Sequence, residues 1–256
     1  MIEYRVTMNG IEGTARYSEQ AVNGIFLPLL KTLAAMRQAK GKRLLVMLAA
    51  PPGAGKSTLL SFLERLARDS GMPEAVQAIG MDGFHRRQED LLRRRVWRDG
   101  KQISMVEIKG APITFDLARL TDSVKQAAAG KVIGWPVYDR LLHNPVENAL
   151  RVDGSIVLLE GNYLLLNEEG WRDLAAYADY TVFIRADEQL LRTRLIERRI
   201  RTGVERNAAV RFVDFSDMPN VRTCLEKSMP ANLQLWIDAQ DDYHIAQGGG
   251  ALVPPV

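Results

Sequence analysis

The 256-residue chain holds a single cysteine, Cys224. One thiol rules out an internal disulfide framework and any multi-cysteine metal site, and it suits a reducing compartment. The expected location is therefore cytoplasmic. No apolar run approaches the ~18 residues of a membrane-spanning helix. The opening residues, MIEYRVTMNG, lack the basic start and apolar core of a secretory signal. Charge of one sign is also scarce in excess: 34 Lys and Arg face 31 Asp and Glu, a net +3. That surplus does not argue for a nucleic-acid surface, and neither nucleic acid nor a membrane is an expected partner. Histidine is rare as well. His85, His143 and His244 are the three, and their scatter along the chain does not establish a metal site.

What is present is ordinary globular material, 46% hydrophobic and 25% charged, with ample length for a buried core. Ile2 to Tyr17 reads as two short strands around the turn pair Asn9-Gly10. Ser18 is a candidate cap for a helix to about Ala39, with Val22, Ile25, Phe26, Leu29, Leu30, Leu33 and Met36 at helical spacing. Short apolar runs then alternate with helical segments: Arg43 to Ala49, Ala75 to Met81, Ser155 to Leu159 and Tyr180 to Ile184. This alternation predicts an α/β fold, a mostly parallel sheet with helices on both faces. One domain is expected, with an N-terminal addition at 1–42, a core at 43–237 and a tail at 238–256.

The run LLVMLAAPPGAGKSTLL, Leu44 to Leu60, carries the strongest chemical signal. An apolar strand leads into Gly53, Ala54, Gly55, Lys56, Ser57 and Thr58 and then into a helical pattern, as in a Walker A P-loop. The glycines let successive N–H groups turn inward as an anion nest, and the helix adds the positive end of its dipole. Lys56 supplies a mobile charge for the β- and γ-phosphates, and Ser57 a hydroxyl for Mg²⁺. The ligand class is thus a nucleotide triphosphate with Mg²⁺. Ala50 stands where the motif usually begins with glycine. Pro51 and Pro52 lack N–H groups, but the cradle's donors lie later, around Gly53 to Thr58. The guanine-reading pattern Asn-Lys-x-Asp is absent, which argues against a GTPase switch.

In such a sheet, ligands bind at the carboxyl ends of the strands. The second strand ends in MDGFHRR and the third in LLEGNYLLL. Asp82 is the candidate general base for an attacking hydroxyl, with a cap or a Mg²⁺-water contact as its alternatives. Glu160 resembles a Walker B acid that reaches Mg²⁺ through water. Between these strands, Tyr138, Asp139, Arg140 and His143 crowd a loop-like stretch suited either to reading a small polar substrate or to making a turn. His85 and Tyr163 are further substrate candidates. Lys109 and Gly110 border the same region. Asp116 reads as the N-cap of a helix from Leu117 to Ala129. Ala186 to Gly203 reads as a basic helix whose arginines are either a solvated face or a lid over the phosphates. Arg192 is the first choice among them.

The ordered motifs GKST, DGFH, KGAPITFD (Lys109 to Asp116), PVYDRLLH and VLLEGNYLL resemble the phosphoribulokinase/uridine kinase family, which includes bacterial pantothenate kinase. The mixture is most similar to bacterial nucleoside/nucleotide kinase-like and fructose-transport kinase-like proteins. The resemblance spans about Leu44 to Ile237. It implies a P-loop kinase that uses ATP and Mg²⁺ to phosphorylate a small-molecule hydroxyl, with Asp82 matching the family's catalytic acid. Two departures stand out. Arg140 follows Tyr138-Asp139 where uridine kinases usually carry an aromatic, and Asn162-Tyr163 follows the Glu-Gly pair where they carry apolar residues. A sugar or nucleoside acceptor is the expectation, with a pantothenate-like acceptor or an acceptor-free ATPase regulator as alternatives. A homodimer is the default assembly for such an enzyme.

Overall fold

The computed structural model describes residues 1–8 and 11–246. The anticipated Asn9-Gly10 turn and residues 247–256 of the expected tail lie outside them. In chain order, strands β1 (Ile2–Met8) and β2 (Ile11–Tyr17) pair antiparallel. Helix α1 (Glu19–Ala21) runs through a π-helical turn, Val22–Phe26, into α2 (Leu27–Lys40). Ser18 caps its start by accepting the Ala21 N–H at 2.9 Å. Then follow β3 (Leu44–Ala49), α3 (Lys56–Asp69), β4 (Val76–Gly80) and α4 (Gln88–Arg93). A hairpin of β5 (Arg95–Arg98) and β6 (Lys101–Ser104) precedes α5 (Leu117–Ala128). A longer hairpin of β7 (Ile133–Asp139) and β8 (Asn144–Val152) leads into β9 (Ile156–Gly161). The chain closes with β10 (Tyr180–Ala186), α6 (Glu188–Arg201), α7 (Arg206–Phe212), α8 (Met218–Lys227), β11 (Leu233–Ile237) and β12 (Tyr243–Ile245).

The main sheet has the order β12-β11-β10-β3-β9-β4, parallel throughout except for β12. Every residue of β3 and of β9 is buried, as interior strands covered on both faces require. Alternation along the strands splits the core between the two faces. Leu44, Val46 and Leu48 pack with α2, α3 and α6, while Leu45, Met47 and Ala49 pack with α5, Phe84, Trp135 and Trp171.

The N-terminal hairpin rests on the back of α3. Tyr17 stacks on Phe62 with ring centroids 4.3 Å apart, and the Tyr4 hydroxyl shares a 2.8 Å hydrogen bond with Ser61 Oγ. Tyr243, on β12, joins that aromatic cluster against Tyr17 and Phe26. Strand β12 therefore lies within the segment expected as tail, with Tyr243 buried and the strand hydrogen-bonded to β11. Its sequence, three residues after the polar turn 238–242, is too short to show a period.

The stretch around Tyr138 is also not a loop. Tyr138 and Asp139 finish β7, and Asn144 opens β8. Only 140–143 turn, and Asp139 Oδ1 secures them by accepting the N–H groups of Leu141 and Leu142 at 2.8 and 2.9 Å.

Candidate active site

The phosphate cradle forms where β3 ends at the centre of the sheet. Gly53 and Gly55 take φ of 85° and 77°, in the left-handed region that side chains disfavour. Gly53 is also pressed by helix α6: a Cβ there would lie 3.1 Å from Leu195 Cγ and 3.3 Å from the Leu191 carbonyl. Ala50 is fully buried, and the Pro51 carbonyl accepts the Ala54 N–H at 3.3 Å, so the two prolines make a turn that spends no donor of their own. Helix α3 starts at Lys56 with no side chain capping it, which leaves its first amides to an anion.

Ser57 Oγ donates to Glu160 Oε1 at 2.6 Å. Glu160 is 8% exposed, and burial raises its carboxyl from the ordinary value. The Lys56 charge and the Ser57 hydrogen bond partly offset that, while nearby Asp82 adds to it. Two glycines make this proximity possible. Strand β4 pairs with β9 so that Gly80 faces Glu160, and a Cβ on Gly80 would come within 3.1 Å of Oε1. A Cβ on Gly161 would sit 2.1 Å from Met81 Sδ, so the residue after Glu160 must be bare for the Asp82 turn to close over it.

Asp82 stands solvent-exposed in the turn Met81–Phe84, directly after β4. Its neighbour Gly83 meets β7 backbone, since a Cβ would fall 1.9 Å from the Pro136 carbonyl. Phe84 locks the same contact, edge-on to Trp135 at 4.8 Å, and Trp135 Nε1 donates to the Gly80 carbonyl at 2.8 Å. The Asp82 backbone carbonyl accepts both the His85 N–H, at 3.1 Å, and His85 Nδ1, at 2.8 Å. Burial lowers the His85 imidazole from its ordinary value, opposed by Asp82.

The β7–β8 hairpin stands beside this turn. His85 lies 5.2 Å from the Tyr138 ring and 3.9 Å from Phe115. Lys109 Nζ donates to Gln88 Oε1 at 2.7 Å, to the Tyr138 hydroxyl at 2.5 Å and to the His143 carbonyl at 3.2 Å. Burial lowers the Lys109 ammonium to about 8 and pushes the Tyr138 phenol up to about 12. His143 thus enters the cluster through its backbone, at φ 52°, with its ring exposed. Tyr163 does not line the cleft. It is fully buried against Phe115 and Trp171, and its hydroxyl donates to the Gly110 carbonyl at 2.6 Å. The tyrosine supports the Lys109-Gly110 turn from below, so its placement as a substrate contact is corrected. Asp116 caps α5 by accepting the Arg119 N–H at 3.2 Å.

The arginines of α6 separate by partner. Arg192 forks onto Asp214 at 2.6 and 2.9 Å. Arg194 pairs with Asp241 and donates to the Gly53 carbonyl at 3.3 Å. Arg199 pairs with Asp217 and Arg201 with Glu197. Among the described residues Arg198 makes no such pair. It reaches solvent, yet burial lowers its guanidinium, as does the Arg140 charge, and Asp82 is within electrostatic reach. Arg140 in turn feels Glu160, Tyr138 and His85. Arg192, the first choice from the sequence, is held by Asp214, while Arg198 lies within electrostatic reach of Arg140 and Asp82. Spacing alone cannot reveal this, because Asp214 and Asp217 lie on a later π-helical turn, Val213–Asp217.

Residues 45–235 match the sequence model of the Phosphoribulokinase / Uridine kinase family. The chain belongs to this family. As a family member it is a P-loop kinase, a phosphotransferase whose family implies ATP with Mg²⁺. It is 41% identical over 244 residues to "Uncharacterized protein YggC" of Escherichia coli, covering 95% of this chain and 99% of the other. It is 31% identical over 194 residues to a "Putative uridine kinase" of Schizosaccharomyces pombe, covering 73% and 80%. The structure described as a "putative fructose transport system kinase" from a Silicibacter species superposes with TM-score 0.68 at 31% identity, covering 79% of this chain and 98% of that one. The fold expected from the strand pattern, a parallel P-loop sheet with an N-terminal hairpin, is the fold these relatives support.

The oxygen donors fit Mg²⁺. Among the described residues no three His, Cys, Asp or Glu side chains gather as a metal cage. Mg²⁺ keeps several waters and needs only one or two protein oxygens beside nucleotide phosphates, a demand the Ser57 hydroxyl and the Glu160 carboxylate would meet. Among the described residues no helix is long and apolar enough to cross a membrane.

Proposed function

We propose that this kinase transfers the γ-phosphate of Mg·ATP to a hydroxyl of a small metabolite, a sugar or a nucleoside. The observation that carries this reading is the exposed Asp82 carboxylate on the strand end beside the Ser57–Glu160 pair. A carboxylate in that position is placed to orient an attacking hydroxyl and to take its proton.

The P-loop amides and Lys56 hold the phosphates. Ser57 and Glu160 are the residues that would hold Mg²⁺, which would supply charge neutralisation to the phosphates. Asp82 orients the acceptor hydroxyl and takes its proton as the new P–O bond forms and the bond to ADP breaks. Arg198 and Arg140 bring two positive charges close to Asp82 and Glu160, where negative charge on the transferred oxygens would be stabilised.

The test is ADP release from Mg·ATP with hexoses, ribosides and hydroxy acids supplied in turn. Release that depends on an acceptor, together with a phosphorylated product, supports the reading. Hydrolysis at full rate without any acceptor would sink it.

A further inference from the structure

Three carboxylates fall within the turn 238–242, and two of them are engaged in building it. Asp238 Oδ1 accepts the N–H groups of Gln240 and Asp242, both at 2.9 Å, and its Oδ2 faces His244 Nε2 at 2.7 Å. Asp242 Oδ1 accepts the Ser18 hydroxyl at 2.7 Å and the Tyr243 N–H at 2.9 Å. These bonds hold Asp241 at φ 65°, in the left-handed region that residues other than glycine seldom enter unless their surroundings fix them. The Asp241 carboxylate takes no part in the turn's own bonding. It pairs with Arg194 of α6.

Arg194 carries that contact to the phosphate cradle. Strands β11, β10 and β3 run parallel, so the turn after β11 and the loop after β3 open at the same end of the sheet. Helix α6 reaches both. One guanidinium nitrogen of Arg194 donates to the Gly53 carbonyl at 3.3 Å, and another bonds Asp241 Oδ1. A planar guanidinium fixed at two corners has a set orientation. Its hold on Gly53 matters because Gly53 and Gly55 both sit at positive φ, and glycine visits either sign of φ at little cost. With its carbonyl secured by Arg194, the Gly53 peptide is not free to turn that oxygen into the cradle against phosphate oxygens. The amides that follow it stay available to the anion.

We propose that Asp241 is a positioning residue for the nucleotide: acting through Arg194, it fixes the Gly53 peptide and presets the phosphate cradle before Mg·ATP arrives. Presetting a loop raises affinity by removing the cost of ordering it on binding. The pairing also engages the Arg194 charge, which separates its role from that of Arg198. Asp241 lies beyond residue 235, where the family match ends, and Ser18 lies before residue 45, where it begins. Segments flanking the matched stretch thus brace the loop inside it. The inference rests on the kinase reading only in taking the P-loop as the phosphate site.

The experiment is nucleotide binding by the full-length protein with Mg²⁺ and no acceptor. A fluorescent ATP analogue is bound, then displaced by ADP and by inorganic tripolyphosphate. Glycine adopts the left-handed backbone without strain, so Asp241→Gly removes the carboxylate and keeps the turn. Asp241→Gly and Arg194→Met each weaken both competitors by about 3–10-fold, the worth of one hydrogen bond. The double variant is no weaker than Arg194→Met, because Asp241 acts only through that side chain. Asp241→Asn, which keeps an acceptor oxygen, falls between wild type and Asp241→Gly. In turnover, KM for ATP rises by the same factor and kcat at saturating ATP holds. A merely structural lesion would lower kcat and the melting temperature instead, and a pair 23% and 66% exposed gives little reason for either to fall.

Tighter binding by Asp241→Gly overturns the proposal, since it means that the pair withholds Arg194 from the phosphates. Unchanged affinity overturns it as well. So does a loss seen with ADP and not with tripolyphosphate, because the turn then reads the nucleoside and not the cradle. Additive losses in the double variant remove Arg194 as the route. A wild-type protein that binds neither ligand overturns this inference and the P-loop assignment together. Acceptor-independent hydrolysis removes the transfer reading and leaves the role of Asp241 to be decided by the binding data.

Discussion

Ser57 Oγ and Glu160 Oε1 meet at 2.6 Å, so the first turn of α3 is bonded to the end of β9 across the mouth of the sheet. Replacing Glu160 by glutamine preserves an oxygen for that bond and removes the charge. Burial penalises the charge, so Glu160→Gln leaves the unliganded melting temperature unchanged or higher. The Mg²⁺ concentration needed for half-maximal turnover rises by about 10–100-fold, as for other losses around a metal. A Mg²⁺ titration of turnover checks this. An unshifted midpoint would remove Glu160 from the metal site.

Asp82→Asn retains the shape of the turn and lowers turnover by roughly 10²–10⁴, the range for a positioned general base. Nucleotide-dependent thermal stabilisation persists. Gly83→Ala reaches the same activity by another route. Its methyl group has no room against the Pro136 carbonyl, so it costs about 1–3 kcal/mol of stability as overpacking does and displaces Asp82. Thermal melts beside steady-state rates separate the two: the first variant loses rate alone, the second both.

Arg198→Ala lowers kcat by about 10²–10³, the usual loss of one transition-state charge contact. Arg192→Ala, which breaks a pair 29% and 47% exposed, costs at most about 1 kcal/mol of stability and leaves kcat near wild type. Parallel kinetics on the two variants decide the assignment. Equal losses would restore Arg192 to the site.

Lys109 gives a pH signature. Its folded ammonium titrates near 8 against an ordinary 10.5, so between those values the unfolded chain holds a proton that the folded chain has released. Unfolding free energy therefore rises with pH across that window and levels off above it. Below pH 8 the penalty for the buried charge is fully present. Tyr138, Asp82, Asp139, Arg140 and His85 also bear on this cluster, so the comparison is denaturant melts of wild type and Lys109→Met from pH 7 to 10. Matching slopes would show that another group titrates.

Much of this arrangement was legible in the chain. The P-loop, its flanking strand and helix, and the acids at Asp82 and Glu160 follow from local pattern, because strand ends in a parallel sheet converge by topology. The Ser18 and Asp116 caps were legible for the same reason: a cap is a contact over three residues. What escaped depends on distant partners. Tyr163 looks like a pocket residue until Gly110, 53 positions away, takes its hydroxyl. Arg192 is taken by Asp214, 22 residues on, a partner that the sequence spacing of the helix does not reveal. Strands β11 and β12, and the pairing of β7 with β8, arise from a sheet edge and a hairpin register that short mixed sequences do not announce.

Strands β4 and β9 deliver Asp82 and Glu160 to neighbouring positions, each unfavourable to the other's charge. Ligands that bring cations to that corner bind the folded chain alone, so they stabilise it in proportion to the logarithm of their concentration. Occupancy of that corner would thereby also slow proteolysis, because cleavage draws on the opened chain that the ligand depletes.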